Sequence, residues 1–387
     1  VESVRRHDAR VGALCGHSGS GILSEHQKTF LVTGGAGFVG SSIALYLRAK
    51  RPKDKVIAFD NLKRRGSELS LGRLKDAGVE FVHGDVRDLF DLEQVGPVDW
   101  LIECSAEPSV QAGYDQSPAY VTNTNLNGAI HCLEHLRRHG GRMIFLSTSR
   151  VYPIEPLRAL PLNQVSGSRF DIPGDALGSG YSSQGISELF PLHGARSLCG
   201  TTKLCTEHYI TEYSSMYGVE AVINRCGILS GPWQMGKVDQ GVMTLWMARH
   251  FFGGNLKYIG FGGMGQQVRD ALHVDDLCDL VHTQMESISD HAGAIYNVGG
   301  GLSNSVSLNQ LTQICQDISR QSVDIGSEPS THPADIPYYV SDCRHVMEAA
   351  KWDPQRSVSK LLEDIHAWLK KNEMLLEPIL APKGLSI

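Results

Sequence analysis

A doubly wound parallel α/β sheet with a smaller C-terminal lobe is the fold class that this 387-residue chain predicts. Three observations carry the prediction. Short apolar runs alternate with helical stretches at the spacing of strand–helix–strand units. A glycine cluster stands between the first such strand and the first helix. Glycine is also over-used, at 41 residues, and many of these fall at strand-to-helix junctions where the backbone must turn tightly.

Taken in order, residues 1–28 lack sustained periodicity and read as an appended, flexible extension. "TFLVT" from Thr29 is a short apolar strand, and "FVGSSIALYLRAK" is a helix with one apolar face. "KVIAFD", "VEFVHGD", "VDWLIEC" and "RMIFLST" read as the second to fifth strands, separated by helical segments that include "AYVTNTNLNGAIHCLEHLRRHG". A helix from Cys199 to about Tyr217 leads to the strand "VEAVINRC". After Val151 comes a long stretch rich in Pro, Gly and Ser. It starts at a strand's C-terminal end, where open α/β sheets bind ligands, and reads as a flap over the site. The expected division is residues 29–225 for the dinucleotide domain, with the flap at 153–198. Residues 226–387 form the substrate lobe, with 266–297 returning to the first domain.

Composition narrows the function classes. The net charge is −6 with basic residues evenly spread, so there is no nucleic-acid footprint. No apolar run reaches membrane-spanning length, and the first 28 residues hold no apolar leader core, so neither a membrane nor secretion is expected. Nine cysteines without a CxxC pair point to reduced thiols and a cytoplasmic protein.

"VTGGAGFVG" places Gly34, Gly37 and Gly40 after a strand and at the opening of a helix. Such a turn lets the backbone approach a pyrophosphate, and the helix N-terminus offers it free N–H groups. Asp60 ends the next strand 20 residues after Gly40, where a carboxylate holds a ribose 2′-hydroxyl. Together these predict a Rossmann-type dinucleotide site. Asp60 favours NAD over NADP, although Lys63, Arg64 and Arg65 follow closely and offer either a 2′-phosphate site or a solvated basic turn. Asp85 and Val86 in "HGDVRD" end the third strand near where an adenine would lie.

With Asn125 in "NTNLNG", with "STSRVY", with the Lys203 region and with "QQVRDALHVDD", these motifs resemble the extended short-chain dehydrogenase/reductase family, the nucleotide-sugar epimerases and dehydratases, from about Thr29 to Trp368. The resemblance implies a set of roles. Gly34, Gly37, Phe38, Val39, Gly40, Asp60, Asn61, Asp85, Val86, Cys104, Ser105, Ala106, Asn125 and Ser147 would line the NAD site. Thr148 falls at the catalytic Ser/Thr position, and Lys203 would bind the nicotinamide ribose and lower a neighbouring pKa. Arg269 would meet the substrate diphosphate, with Arg225, Gln240 and Tyr258 in the same pocket. "DNLKRRGSEL", "NRCGILSGPWQMGKVDQG" and "GGMGQQVRDALHVDD" look most like the branch that epimerises C2 of a CDP-hexose. The alternatives are a 4-epimerase of a UDP- or dTDP-sugar and a catalytically silent sensor. Sugar 4,6-dehydratases of the family carry an Asp-Glu pair after the catalytic threonine. Here Ser149 and Arg150 stand there and cannot serve as that acid and base, so elimination is disfavoured. A homodimer through the Asn125 and Lys203 helices is implied as well.

Four residues before Lys203 the family has a tyrosine that moves protons; this chain has Cys199. A thiol's ordinary pKa lies nearer neutrality than a phenol's, and Lys203 on the next turn is placed to lower it, so reach rather than acidity is the expected obstacle. Three readings follow. Thr148, a water or Tyr181 carries the proton; or the protein only binds; or Cys199 cripples an otherwise standard epimerase. His131, His135 and His139 recur every four residues, which reads as a surface or interface stripe, with no metal expected. Trp233 and Met235 are equally sugar contacts or lobe packing. Leu361, Leu362, Ile365 and Leu369 share one face of a terminal amphipathic helix.

Overall fold

Seven parallel strands build the central sheet of the computed structural model, which describes residues 27–114, 116–236 and 240–382. All but the last two residues of the expected N-terminal extension lie outside the described residues. The strands are β1 (Thr29–Thr33), β2 (Lys55–Asp60), β3 (Glu80–His83), β4 (Trp100–Glu103), β5 (Arg142–Thr148), β6 (Ala221–Cys226) and β9 (Ile295–Val298). Their order across the sheet is β9-β6-β5-β4-β1-β2-β3, and every pairing is parallel. Phe30, Leu31 and Val32 are fully buried, as a strand covered on both faces requires.

Helices α1 (Phe38–Lys50) and α6 (Val274–Glu286) cover one face through Ile43, Leu47, Leu277 and Leu280. Helices α3 (Gly128–His139) and α4 (Leu198–Tyr217) cover the other through Cys132, Leu133, Leu136 and Ile210, with the short α2 (Leu89–Glu93) packed on α3. The chain runs outward from β1 to β3 and then returns to β4 on the other side of β1. That reversal opens a crevice at the C-terminal ends of β1 and β4, the place where such sheets bind ligands. The predicted doubly wound sheet is therefore the observed one.

The second lobe has its own core. Strands β7 (Ile228–Ser230), β8 (Val268–His273) and β10 (Ser305–Ser307) form a small sheet, with β11 (Tyr338–Tyr339) also paired to β8. Helices α5 (Val242–Phe252), α7 (Leu308–Ser319) and α8 (Val358–Lys371) pack together through Met247, Leu311, Leu361, Leu362, Ile365 and Leu369. The return of 266–297 to the first domain needs correcting, since α6 and β9 lie there whereas β8 is the centre of the small sheet. Residues 153–198 differ from the expected flap too. They form a short helix and small hairpins, and Leu157, Leu160, Ile172, Ile186 and Phe190 join Tyr338 and Tyr339 in one apolar cluster. None of that segment's described residues lines the crevice, and Tyr181 packs with the same cluster instead of reaching it.

Candidate active site

A cavity of about 520 Å³ occupies the crevice and extends between the two lobes. It is lined by Gly34, Gly37, Phe38, Val39 and Gly40 of the glycine turn, by Cys104, Ala106, Ser147, Thr148, Cys199 and Lys203, and by Arg64, Gln240 and Arg269. The glycines are required by close approach. A Cβ on Gly34 would stand 2.8 Å from the Cys104 carbonyl oxygen, and one on Gly40 2.2 Å from that of Gly34. Gly37 caps α1 without a side-chain hydrogen bond, so the first-turn N–H groups are left to a ligand. Bare backbone, a helix N-terminus and a cavity continuing past it fit NAD. Asp60 closes this turn, accepting hydrogen bonds from the Ala36 and Leu62 N–H groups at 3.1 and 2.7 Å, and burial raises its carboxyl pKa.

At Lys203 the structure adds a partner that sequence reasoning missed. Lys203 Nζ lies 2.9 Å from Glu103 Oε2, with both side chains buried. Glu103 also accepts a hydrogen bond from Ser105, so the lysine charge is compensated where it stands. A glutamate inside the apolar run "DWLIEC" was the signal available. Cys199 is buried in the first turn of α4, whose N-cap is Ser197. Burial pushes its thiol up to about 11, and Lys203 and Arg150 offset that only in part. Lys203 lowers the thiol pKa as expected, but desolvation of the thiolate outweighs it, so acidity is an obstacle here as well as reach. Thr148 ends β5 and its hydroxyl accepts from the Arg150 N–H at 3.2 Å. Gly200 lets α4 press onto that turn, since a Cβ there would meet the Arg150 carbonyl oxygen at 2.0 Å.

Part of the lining is cationic. Arg269 donates to the Val268 and Ile336 carbonyls at 2.7 and 2.6 Å, and Arg150 to the Ala334 carbonyl at 3.3 Å. Burial lowers both guanidinium pKa values, that of Arg269 to about 9, and Arg150 lowers it further by repulsion. Asp335 lines the same wall and acts oppositely. Arg64, which also lines the cavity, hydrogen-bonds Gln240 and the Met235 carbonyl.

Several expected residues lie elsewhere. Arg225 is not in the cavity: Glu207 holds it at 2.7 Å, Tyr152 adds a hydrogen bond at 3.2 Å, and Glu207 also accepts from Ser147 at 2.5 Å. Tyr258 is also outside, its hydroxyl 2.8 Å from Thr312 in the second lobe. Asn125 sits in a π turn, Asn123–Asn127, and clamps both backbone groups of Glu107, so it shapes the Cys104–Val110 wall from behind. Asp85 opens onto a separate shallow cleft. There burial raises its pKa, but Arg87 and Asn61 more than reverse this, to about 2. Val86 is buried against Gly128, and Asn61 bonds Asp85 at 2.9 Å. Met235 lines the cavity, whereas Trp233 packs on Trp368 and under Arg73.

The family model "NAD dependent epimerase/dehydratase family" matches residues 30–299. The chain belongs to this family. Among curated relatives it is 27% identical over 346 residues to CDP-paratose 2-epimerase of Salmonella typhi, covering 87% of this chain and 98% of that one. It is 26% identical over 360 residues to dTDP-glucose 4,6-dehydratase of Streptomyces antibioticus, covering 90% and 94%. Among solved structures, dTDP-glucose 4,6-dehydratase of Streptomyces venezuelae with NAD bound is similar at 26% identity and a TM-score of 0.73, over 91% of this chain and 99% of that one. The epimerase/dehydratase family is NAD-dependent, and this chain's glycine turn agrees with that cofactor.

Proposed function

We propose that this chain epimerises a nucleotide sugar through a transient keto intermediate, at C2 of a CDP-hexose such as CDP-paratose. The observation that carries the reading is one cavity lined at once by a dinucleotide turn, by Arg150 and Arg269, and by Thr148 and Lys203. The full-length similarity to a CDP-paratose 2-epimerase supports the choice of sugar. Ser149 and Arg150 count against the dehydratase reaction of the other relatives, because neither moves the proton and hydroxyl that elimination requires.

When bound, NAD supplies reversible hydride acceptance at the sugar carbon. The chain's own residues do the rest. Arg269 and Arg150 hold the diphosphate, Gln240 and Arg64 border the nucleotide, and Lys203 with Glu103 fixes the ribose side. Thr148 bonds the reacting hydroxyl and passes its proton to water. Cys199 stays a neutral thiol and contributes no proton transfer, which lowers the rate by a factor on the order of 10²–10⁴ relative to a positioned phenol. A homodimer through α3 and α4 is part of the proposal, supported by exposed Tyr209, Met216 and Tyr217 on α4. The eight described cysteines are all free thiols, which supports a reducing compartment such as the cytoplasm.

The test follows CDP-paratose by NMR with NAD present, for the parent protein and Cys199→Tyr. Faster turnover by the tyrosine variant supports the site and the sugar. No reaction by either, with NAD recovered from the denatured protein, discards the CDP-sugar and moves the assay to UDP- and dTDP-sugars. The second reading, a binding-only protein, is favoured by the buried thiol of Cys199 and the compensated Lys203. Any turnover by the parent protein excludes it.

A further inference from the structure

Away from the cavity, the outer end of α3 meets the end of α2. His135 and His139 are four residues apart and present one side of α3, and Glu93 is the last residue of α2. The three donor atoms lie within 4.8 Å of one another. His139 Nε2 is 2.8 Å from Glu93 Oε2, and the two imidazole rings are 4.8 Å apart between centroids. Arg138 completes the surroundings at 3.3 Å from the other carboxylate oxygen.

His135 makes the cluster more than a surface ion pair. Its side chain is fully buried, and neither ring nitrogen has a hydrogen-bond partner in bonding geometry, although the Gly96 backbone lies close by. Even with one nitrogen turned to the Gly96 backbone, the other is buried without a partner, which is costly unless something occupies it. The outer two groups are each a little over a quarter exposed, so an ion has a path from solvent to the buried ring.

We propose that Glu93, His135 and His139 form a binding site for a divalent first-row transition ion, zinc by preference. Two imidazoles and a carboxylate are the donor set such ions take, and Mg²⁺ and Ca²⁺ favour oxygen cages instead. Bond lengths of about 2.0–2.2 Å put tetrahedral donors roughly 3.3–3.6 Å apart, so His139 and Glu93 must part slightly and close on His135 by about an ångström, which small rotations of these two partly exposed side chains supply. Water completes the tetrahedron. The ion would tie α2 to α3. His131, one turn earlier on α3, already bonds the Val86 carbonyl at 2.8 Å, so the tie secures the segment that follows β3. The role is structural, and the site is independent of the proposed reaction.

The test uses full-length protein stripped with EDTA and titrated with ZnCl₂ against a chromophoric chelator, then with CoCl₂. One zinc per chain at micromolar affinity or tighter is expected, with visible Co²⁺ bands of a four-coordinate centre and a raised melting temperature. His139→Gln and Glu93→Gln change partly exposed groups and should fold normally by circular dichroism. Each should weaken zinc binding at least tenfold and abolish the Co²⁺ bands. Absence of zinc binding by the parent, or binding that both variants retain, overturns the site. His135→Asn is a third arm, because a melting temperature insensitive to zinc in that variant isolates the buried ring.

Discussion

Arg269 and Arg150 stand close enough to repel each other, and among the described residues neither donates to a carboxylate. Two partly buried guanidinium groups in that state suit an anion, in the proposed function the substrate diphosphate. Arg269→Gln is therefore expected to raise KM for the nucleotide sugar roughly 10–100-fold, from about 1.5–3 kcal/mol for a charged hydrogen bond. A kcat changed by less than a few-fold in steady-state assays would match a binding role. Next in the chain, Asp270 is fully buried and accepts from the Gly301 N–H at 3.1 Å. Burial raises its pKa from 3.8 to about 6, against the lowering by its hydrogen bonds. Between these two values the native state keeps a proton that the unfolded chain has released. Stability from this group is complete below the unfolded value and is lost as pH rises through about 6. Asp270→Asn should remove that fall and gain roughly 3 kcal/mol at pH 7, read by urea denaturation from pH 4 to 7.

At the scale of elements, α4 is fixed to the sheet at two points that also set the site. Glu207 binds Arg225 of β6 and Ser147 of β5, all buried. Removing one partner strands the other, so Glu207→Ala should cost roughly 3–5 kcal/mol in denaturant unfolding. Arg225, expected from the resemblance in the substrate pocket, is therefore a structural residue, and its role depends on a partner 18 residues away on a helix. The second point is Gly200. Gly200→Ala must push α4 off the Ser149–Val151 turn, because its methyl would meet backbone and not a yielding side chain. The expected outcome is a lower melting temperature together with weakened turnover, since Thr148 and Cys199 flank the same contact. An unchanged melting temperature would refute that packing argument.

At the scale of the molecule, the exposed Tyr209, Met216 and Tyr217 leave α4 with an apolar outer face. Met216→Glu is expected to shift sedimentation from dimer towards monomer while the fold persists by circular dichroism. A parent protein that sediments as a monomer removes the dimer from the proposal. The core strands, α1, the glycine turn and Asp60 were legible in the chain because each depends on local periodicity or on a turn that only glycine permits. Thr29–Thr33, Phe38–Lys50 and Lys55–Asp60 fall where the sequence pattern places them. What only the tertiary structure decided involves charge and burial between distant residues. Lys203 found Glu103 a hundred positions away, Arg225 found Glu207, and Arg150 came to face Arg269. The histidine stripe gained Glu93 from another helix. Cys199 changed from a thiol readily made acidic to one held near 11, because its desolvation is a property of the folded interior. Sequence spacing specifies which backbone turns and faces exist, since those are set within a few residues. Protonation, pairing and cavity walls depend on which groups exclude water from one another, and that is fixed only when the sheet, α4 and the second lobe have packed.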